Sequence, residues 1–114
     1  MFAAAIKASD PTRAVQRAIG WDGTSLLVGD TAPNGVHLIA VGKAAVAMAR
    51  GAITSLNGAI VSGDVITKEG HVDSELPPHI RVHEAGHPIP DERGVRATRE
   101  ALAALAELGE DTVV

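Results

Sequence analysis

One segment constrains the fold of this chain most strongly. It is an apolar run of strand length, followed by a glycine and then by apolar residues at helical spacing. Residues 36–41 are apolar apart from His37, and Gly42 ends the run. The apolar residues that then share one helical face are Ala45, Ala49, Ala52, Ile53 and Leu56. The pattern predicts a strand over 36–41 and a helix over about 43–56.

The second half of the chain repeats this alternation. A strand is predicted within 59–67, where Gly63 could interrupt it, and a further strand over 80–83. Asp91 is placed to cap a helix over about 92–108. The residues expected to face inward from this helix are Val95, Leu102, Leu105 and Leu108, and another strand begins at Thr112.

The first 35 residues carry weaker signals. A short helix is predicted over 2–8, and Asp10 is an N-cap candidate with Pro11 at the first position of a helix that extends to about Ile19. Residues 25–28 have the composition of a short strand, and 33–35 form a turn signal.

Strands that alternate with helices predict an α/β fold, with a mostly parallel sheet covered by helices on both faces. This is a Rossmann-like three-layer sandwich, here incomplete. Ligands of such sheets bind at the carboxyl ends of the strands. The loops at 42–43, 67–71 and 84–87 each follow a predicted strand, so we expect them at one edge of the sheet.

Composition excludes several classes of protein. The chain has 114 residues, enough for one domain, and its net charge of -4 argues against a general nucleic-acid surface. There is no cysteine, which excludes disulfides and is compatible with a cytoplasmic location. Lys43 interrupts the apolar stretch at 38–48, so we expect no membrane span.

Lys43 is the first candidate for chemistry, because it is placed at the first turn of a helix that follows a buried strand. The free amides at such a helix start favour an anion, and the lysine would share that anion with them. A solvated lysine is the alternative. The segment is not a Walker loop, since Ala44 stands where a serine or threonine would bind magnesium.

Residues 83–87 match the HExxH motif of zinc proteases. That motif needs a continuous helix, so that both imidazoles meet one metal ion. Here Gly86 lies between the two histidines and Pro88 follows them, while 80–82 have strand character. We therefore expect no metal site.

His71 lies in the same loop as Lys68. That loop is either part of a site or a solvated charged loop.

Three segments together resemble the glycerate 2-kinase family, whose members are also labelled hydroxypyruvate reductases. They are VGKAAVAMA at 41–49, VITKEGH at 65–71 and EAGHPIPDE at 84–92. The Gly-His-Pro-x-Pro-Asp string in the last is the most specific. Asp10-Pro11, followed by Ala14-Val15, resembles the family's opening helix.

The resemblance implies phosphorylation of D-glycerate with ATP and Mg²⁺, in a cleft between two domains. Residues 1–114 would be the N-terminal part of the first domain, and a Ser-Gly-Gly-Gly-Ser phosphate loop would follow the strand at Thr112, beyond the last residue, Val114. We therefore expect the chain alone to be inactive. Lys43 takes the family's catalytic role, and the residues expected to bind substrate or phosphate are Gly42, Ala44, Lys68, His71 and His87.

There are two alternatives to a kinase, one of them another enzyme and the other a non-catalytic module. Hydroxypyruvate reduction would need a dinucleotide fingerprint, and the chain contains no Gly-x-Gly-x-x-Gly. A non-catalytic module that binds an anion or a partner would need only the loops. The sequence does not specify the oligomeric state, the nucleotide preference or the hydroxyl that is phosphorylated.

Overall fold

The computed structural model describes residues 2–19, 35–56, 58–72 and 75–114. The strand predicted at 25–28 and most of the turn predicted at 33–35 lie outside these residues. Within them the chain forms, in order, α1 (Phe2–Ala8), α2 (Pro11–Ala18), β1 (Gly35–Val41), α3 (Ala45–Leu56), β2 (Ile60–Lys68), β3 (Ile80–Ala85), α4 (Glu92–Ala106) and β4 (Thr112–Val113).

The four strands form one parallel sheet in the order β3-β2-β1-β4. β2 is continuous through Gly63, so the interruption considered there is wrong. Gly63 pairs with Leu38 on one side and Ile80 on the other, and this two-sided pairing holds it in the strand. The irregularity lies at Val61 instead, which the register between β1 and β2 skips.

The two crossover helices lie on opposite faces of this sheet. The chain moves from β1 to β2 through α3, but from β3 back past β1 to β4 through α4. Because such crossovers are right-handed, reversing the direction of travel moves the helix to the other face. Val65 accordingly packs in the α3 core, while its neighbour Ile66 packs against Ala97 of α4. The predicted α/β class with helices on both faces is confirmed.

The α3 face is the larger core, and the predicted set of residues builds it. Ala45, Ala49, Ala52 and Leu56 are buried, and Ile53 packs against them. The small side chains allow α2 to cross α3 closely, and the Thr12 hydroxyl donates to the Ala47 carbonyl at 2.9 Å. At the start of α2 the Asp10 carboxylate accepts from the Arg13 amide at 3.1 Å, as the capping prediction requires.

The predicted inward face of α4 is partly wrong. Val95 and Leu102 are 51% and 59% exposed, and the residues that the helix buries are Ala97 and Ala101. The residues that α4 buries against β2 and β3 are thus alanines, and the larger side chains project to one flank. There they border an apolar groove of about 540 Å³ with Ile39, Val41 and Ile66 of the sheet.

Several predicted element boundaries also shift. The helix α4 ends at Ala106 rather than near Leu108, and β3 continues to Ala85. The helix α3 begins at Ala45, so Lys43 precedes it in a turn rather than standing in its first helical turn. No helix in the described parts of the chain is long and apolar enough to cross a membrane.

Candidate functional site

A small pocket lies where β1, β2 and β3 end, at the carboxyl edge of the sheet. Its volume is about 140 Å³, and three consecutive residues from the end of each strand line it. Four of the six predicted site residues are among them, namely Gly42, Lys43, Lys68 and His87. The remaining two, Ala44 and His71, do not line the pocket, although both adjoin the turn that carries Lys43.

The turn after β1 depends on Gly42. Its φ of +123° is a backbone conformation that side chains other than glycine rarely adopt. The Gly42 amide donates to the Ile66 carbonyl at 2.9 Å, and its carbonyl accepts from the Ala45 amide at 3.1 Å. The Thr67 hydroxyl also donates to this carbonyl, at 3.1 Å. The end of β2 therefore holds both sides of the residue that precedes Lys43.

The loop after β2 reaches the same turn from outside the pocket. The Nδ1 atom of His71 lies 3.3 Å from the Lys43 carbonyl, within hydrogen-bonding distance if that nitrogen carries the proton. The His71 amide donates to the Lys68 carbonyl at 3.0 Å. In this structure His71 supports the backbone of Lys43, and its predicted contact with substrate stays a prediction.

The loop after β3 is held by Asp91. A Cβ atom at Gly86 would lie 2.7 Å from the Ile89 carbonyl oxygen and 2.8 Å from the Asp91 carboxylate, so only glycine fits there. The Gly86 amide, the Arg93 guanidinium and the Gly94 amide lower the pKa of Asp91 to about 2. This carboxylate thus caps α4 and closes the loop that carries His87.

An ion-pair chain joins two of the three loops. Arg93 donates from Nε to Asp91 and from Nη2 to Glu69, both at 2.8 Å. Glu69 follows Lys68 directly, and Asp91 ends the segment that contains His87. Arg93 therefore bridges the loop after β2 and the loop after β3.

The charge of the pocket fits an anion. Its lining contains Lys43, Lys68 and His87 but no carboxylate. Neither Lys43 nor Lys68 forms an ion pair with any of the described residues. The volume is below the roughly 300–1,000 Å³ of sites for drug-sized ligands, so a phosphate group or small carboxylate fits better than a nucleotide.

The same lining is unsuited to magnesium. Mg²⁺ is bound through oxygen ligands, usually including one or two carboxylates. The only side-chain oxygen that lines the pocket is the Thr67 hydroxyl, whose proton is donated to Gly42. These residues therefore do not fit a magnesium ion, and the chemistry that they offer is the binding of an anion.

The HExxH match is not helical. Residues 83–85 belong to β3, whereas Gly86 and His87 lie in the loop after it. The Nε2 atom of His83 lies 3.1 Å from a carboxylate oxygen of Asp64 under α4. His87 instead lines the pocket at the strand ends. The strand prediction for this segment is confirmed, and the two histidines have separate surroundings.

Two residues in this region were missed from the sequence. Thr67 is 2% exposed and touches the turn of Lys43, but nothing local in the sequence marks that contact. Asp64 is fully buried, and Arg81, His83 and His37 surround its carboxylate at 2.9, 3.1 and 3.3 Å. A single acidic residue inside a mostly apolar strand was the available signal.

Comparison with known proteins fits this architecture. A family model described as a domain of unknown function, DUF4147, matches residues 1–114. The chain belongs to the DUF4147 family. A glycerate 2-kinase of Pyrococcus horikoshii is 40% identical over 113 residues, which are 96% of this chain and 25% of that protein. This confirms the resemblance drawn from the three segments.

Two further relatives extend the comparison. A crystal structure of a glycerate kinase from Thermotoga maritima superposes with a TM-score of 0.72 at 35% identity, over 94% of this chain and 23% of that one. A putative hydroxypyruvate reductase of Agrobacterium vitis is 38% identical over 77 residues, 68% of this chain and 20% of that protein. The chain thus spans about a quarter or less of each relative's length.

Proposed function

We propose that this chain is the N-terminal part of a cytoplasmic glycerate kinase, in which it binds an anionic group during the ATP-dependent phosphorylation of D-glycerate. The observation that carries the proposal is the pocket at the carboxyl edge of the sheet, where Lys43 and Lys68 meet without a carboxylate. Relatives named glycerate 2-kinase support the choice of reaction.

The position of Lys43 in the sheet supports a role for it in binding. In doubly wound sheets ligands bind where the strand order reverses, outside the carboxyl ends of the strands. Here the order reverses between β1 and β4, and Lys43 is the second residue after β1. Lys43 therefore follows the strand that borders this crevice, and the pocket that it lines lies on the other side of β1, at the ends of β1, β2 and β3.

The chemistry of the proposed reaction needs such a cation. Phosphoryl transfer spreads negative charge over the oxygens of the transferred group, and enzymes stabilise it by fixed positive charge rather than by covalent chemistry. Lys43 can neutralise part of that charge, or hold the glycerate carboxylate so that a hydroxyl meets the phosphate. Lys68 and His87 would contribute to the same anion from the neighbouring strand ends.

We assign Mg²⁺ and ATP to residues outside this pocket, because its lining presents no carboxylates for the metal and neither lysine belongs to a nucleotide loop. The relatives are about four times as long as this chain. We assign the nucleotide and magnesium to the region of the relatives that this chain does not match. ATP and Mg²⁺ supply the phosphoryl group and its charge neutralisation. The 114 residues by themselves should not turn over.

The test is an assay of D-glycerate phosphorylation by ADP release and product detection. It compares the 114-residue chain with a longer protein of the relatives' length that contains it. We expect ATP-dependent phosphorylation by the longer protein and none by the chain alone. A longer protein that reduced hydroxypyruvate with a nicotinamide cofactor, and left glycerate unphosphorylated, would favour the reductase alternative. An inactive longer protein would favour the binding-module alternative.

A further inference from the structure

We propose that Thr67 is a positioning residue, whose hydroxyl fixes the turn that presents Lys43 to the anion. The inference rests on the proposed function for its significance, but its structural content can be tested alone. Thr67 is the penultimate residue of β2 and is 2% exposed. Its hydroxyl donates to the carbonyl of Gly42, on the neighbouring strand end, at 3.1 Å.

This hydrogen bond acts on Lys43 through one peptide plane. The Gly42 carbonyl and the Lys43 amide belong to the same planar unit, so fixing the direction of the carbonyl also fixes that of the amide. Gly42 has a φ of +123°, and a glycine has more backbone freedom than any other residue. With only the Ala45 amide left on this carbonyl, the turn is freer to rotate and to carry the Lys43 side chain out of the pocket.

The hydroxyl is better placed to position than to bind. A threonine hydroxyl has one proton to donate, and here that proton goes to Gly42. What it can still offer a ligand is lone pairs, so it has no proton to donate to the deprotonated oxygens of an anion. Thr67 lines the pocket beside Lys43 and Lys68, yet the two lysines supply the charge that an anion would meet.

The Gly42 carbonyl has a second donor, the Ala45 amide at 3.1 Å. Removal of the Thr67 hydroxyl should therefore loosen the turn without leaving the carbonyl unbonded. Thr67→Val keeps the branched shape and the strand preference of threonine while deleting the hydrogen bond. Thr67→Ser keeps the hydroxyl, and Thr67→Ala, which has no side-chain donor, serves if the valine variant fails to fold.

The experiment uses the 114-residue chain labelled with ¹⁵N and inorganic phosphate as the probe. Amide spectra and hydrogen exchange of Gly42 and Lys43 are recorded first without phosphate, and the Lys43 amide is then followed during titration. The matched control is Thr98→Val, since the Thr98 hydroxyl also donates to a carbonyl, that of Gly94 at 2.8 Å, but on α4.

We expect Thr67→Val to accelerate exchange of the Gly42 amide, which donates to the Ile66 carbonyl at 2.9 Å, and to weaken phosphate binding roughly 3- to 10-fold, the size of one net hydrogen bond. Thr67→Ser and Thr98→Val should stay within about twofold of the unsubstituted chain. Unchanged Gly42 exchange in the valine or alanine variant would overturn the positioning role. If the unsubstituted chain fails to bind phosphate, the anion site fails, while the exchange data still decide the role of Thr67.

Discussion

The Nε2 atom of His83 lies 3.1 Å from the Oδ1 atom of Asp64, a carboxylate with no exposed surface. The other oxygen, Oδ2, accepts from Arg81 at 2.9 Å and lies 3.3 Å from His37. Burial raises the pKa of Asp64, but hydrogen bonds and charges from Arg81 and His83 outweigh it, so the pKa lies below its ordinary value. The cluster thus holds an ionised carboxylate between the sheet and α4.

We predict that Asp64→Asn destabilises the fold by roughly 1–3 kcal/mol near pH 7, because Arg81 and His83 lose the charge that they share. The control is Glu110→Gln, an exposed residue, which should change the unfolding free energy by less than about 0.5 kcal/mol. Urea unfolding followed by circular dichroism measures both. Equal stability of the two variants would show that the Asp64 cluster contributes nothing.

The pH dependence of that loss has a definite sign. A carboxyl group with a lowered pKa in the folded chain stabilises it above the unfolded pKa, and this contribution disappears as pH falls. The Asp64→Asn difference should therefore be full near neutrality and shrink once pH falls below the ordinary value of 3.8. A difference that grew on acidification would mean that Asp64 is protonated in the native state.

Asp91 gives a second acid-sensitive element, at the N-terminal end of α4. Its pKa of about 2, against an ordinary value of 3.8, means that its contribution to stability declines as pH falls through that interval. We predict that the His87 and Gly86 amide signals of the unsubstituted folded chain titrate with a midpoint at about pH 2. In Asp91→Asn, whose side chain can still cap α4, the shifts should be absent. Identical titrations in both proteins would contradict the assigned carboxylate.

Neighbouring residues of α4 provide a stability test of its orientation. Ala101 is 5% exposed and Leu102 is 59% exposed. We predict that Ala101→Leu lowers the unfolding free energy by roughly 1–3 kcal/mol through overpacking. Leu102→Ala should change it by no more than about 0.5 kcal/mol. If thermal or urea unfolding showed a larger loss for Leu102→Ala than for Ala101→Leu, the inward face would be the one that periodicity predicts.

The contrast between these two residues shows what periodicity can and cannot predict. The apolar pattern of 92–108 correctly predicts a helix, but it follows the largest side chains, Val95 and Leu102. The face that packs on the sheet is instead the one with the smallest residues, because α4 lies close to β2 and β3. Helical spacing indicates that an apolar flank exists and does not reveal what covers it.

The candidate site likewise contains features that the sequence predicts and contacts that it does not. Lys43, Lys68 and His87 could be placed together from the sequence, because carboxyl ends of parallel strands share one edge. Thr67 belongs to the loop predicted at that edge, but its hydrogen bond to Gly42 could not be predicted, because it spans 25 residues and depends on the register between two strands. Likewise Asp64 meets Arg81 and His83 only through the pairing of β2 with β3. Side-chain contacts across strands need the register, which spacing along the chain does not contain.

The last prediction concerns Lys43 in the longer kinase that we propose. Lys43→Met keeps most of the aliphatic stem and removes the ammonium group, and Lys43 is exposed, so the fold should survive. We expect the rate of ATP-dependent D-glycerate phosphorylation to fall by roughly a hundredfold or more, the scale of losing one preorganised electrostatic contact. Lys7→Met, in the exposed helix α1, is the matched control and should keep its rate.

Circular dichroism establishes that both lysine variants are folded before their rates are compared. If Lys43 acts mainly on the transferred phosphoryl group, kcat falls and KM changes little, since the contact strengthens only as charge develops. If it holds the glycerate carboxylate throughout, KM rises with a smaller change in kcat. A folded Lys43→Met enzyme with near-normal kcat and KM would remove Lys43 from the active site, and the anion would then have to be assigned to Lys68 and His87.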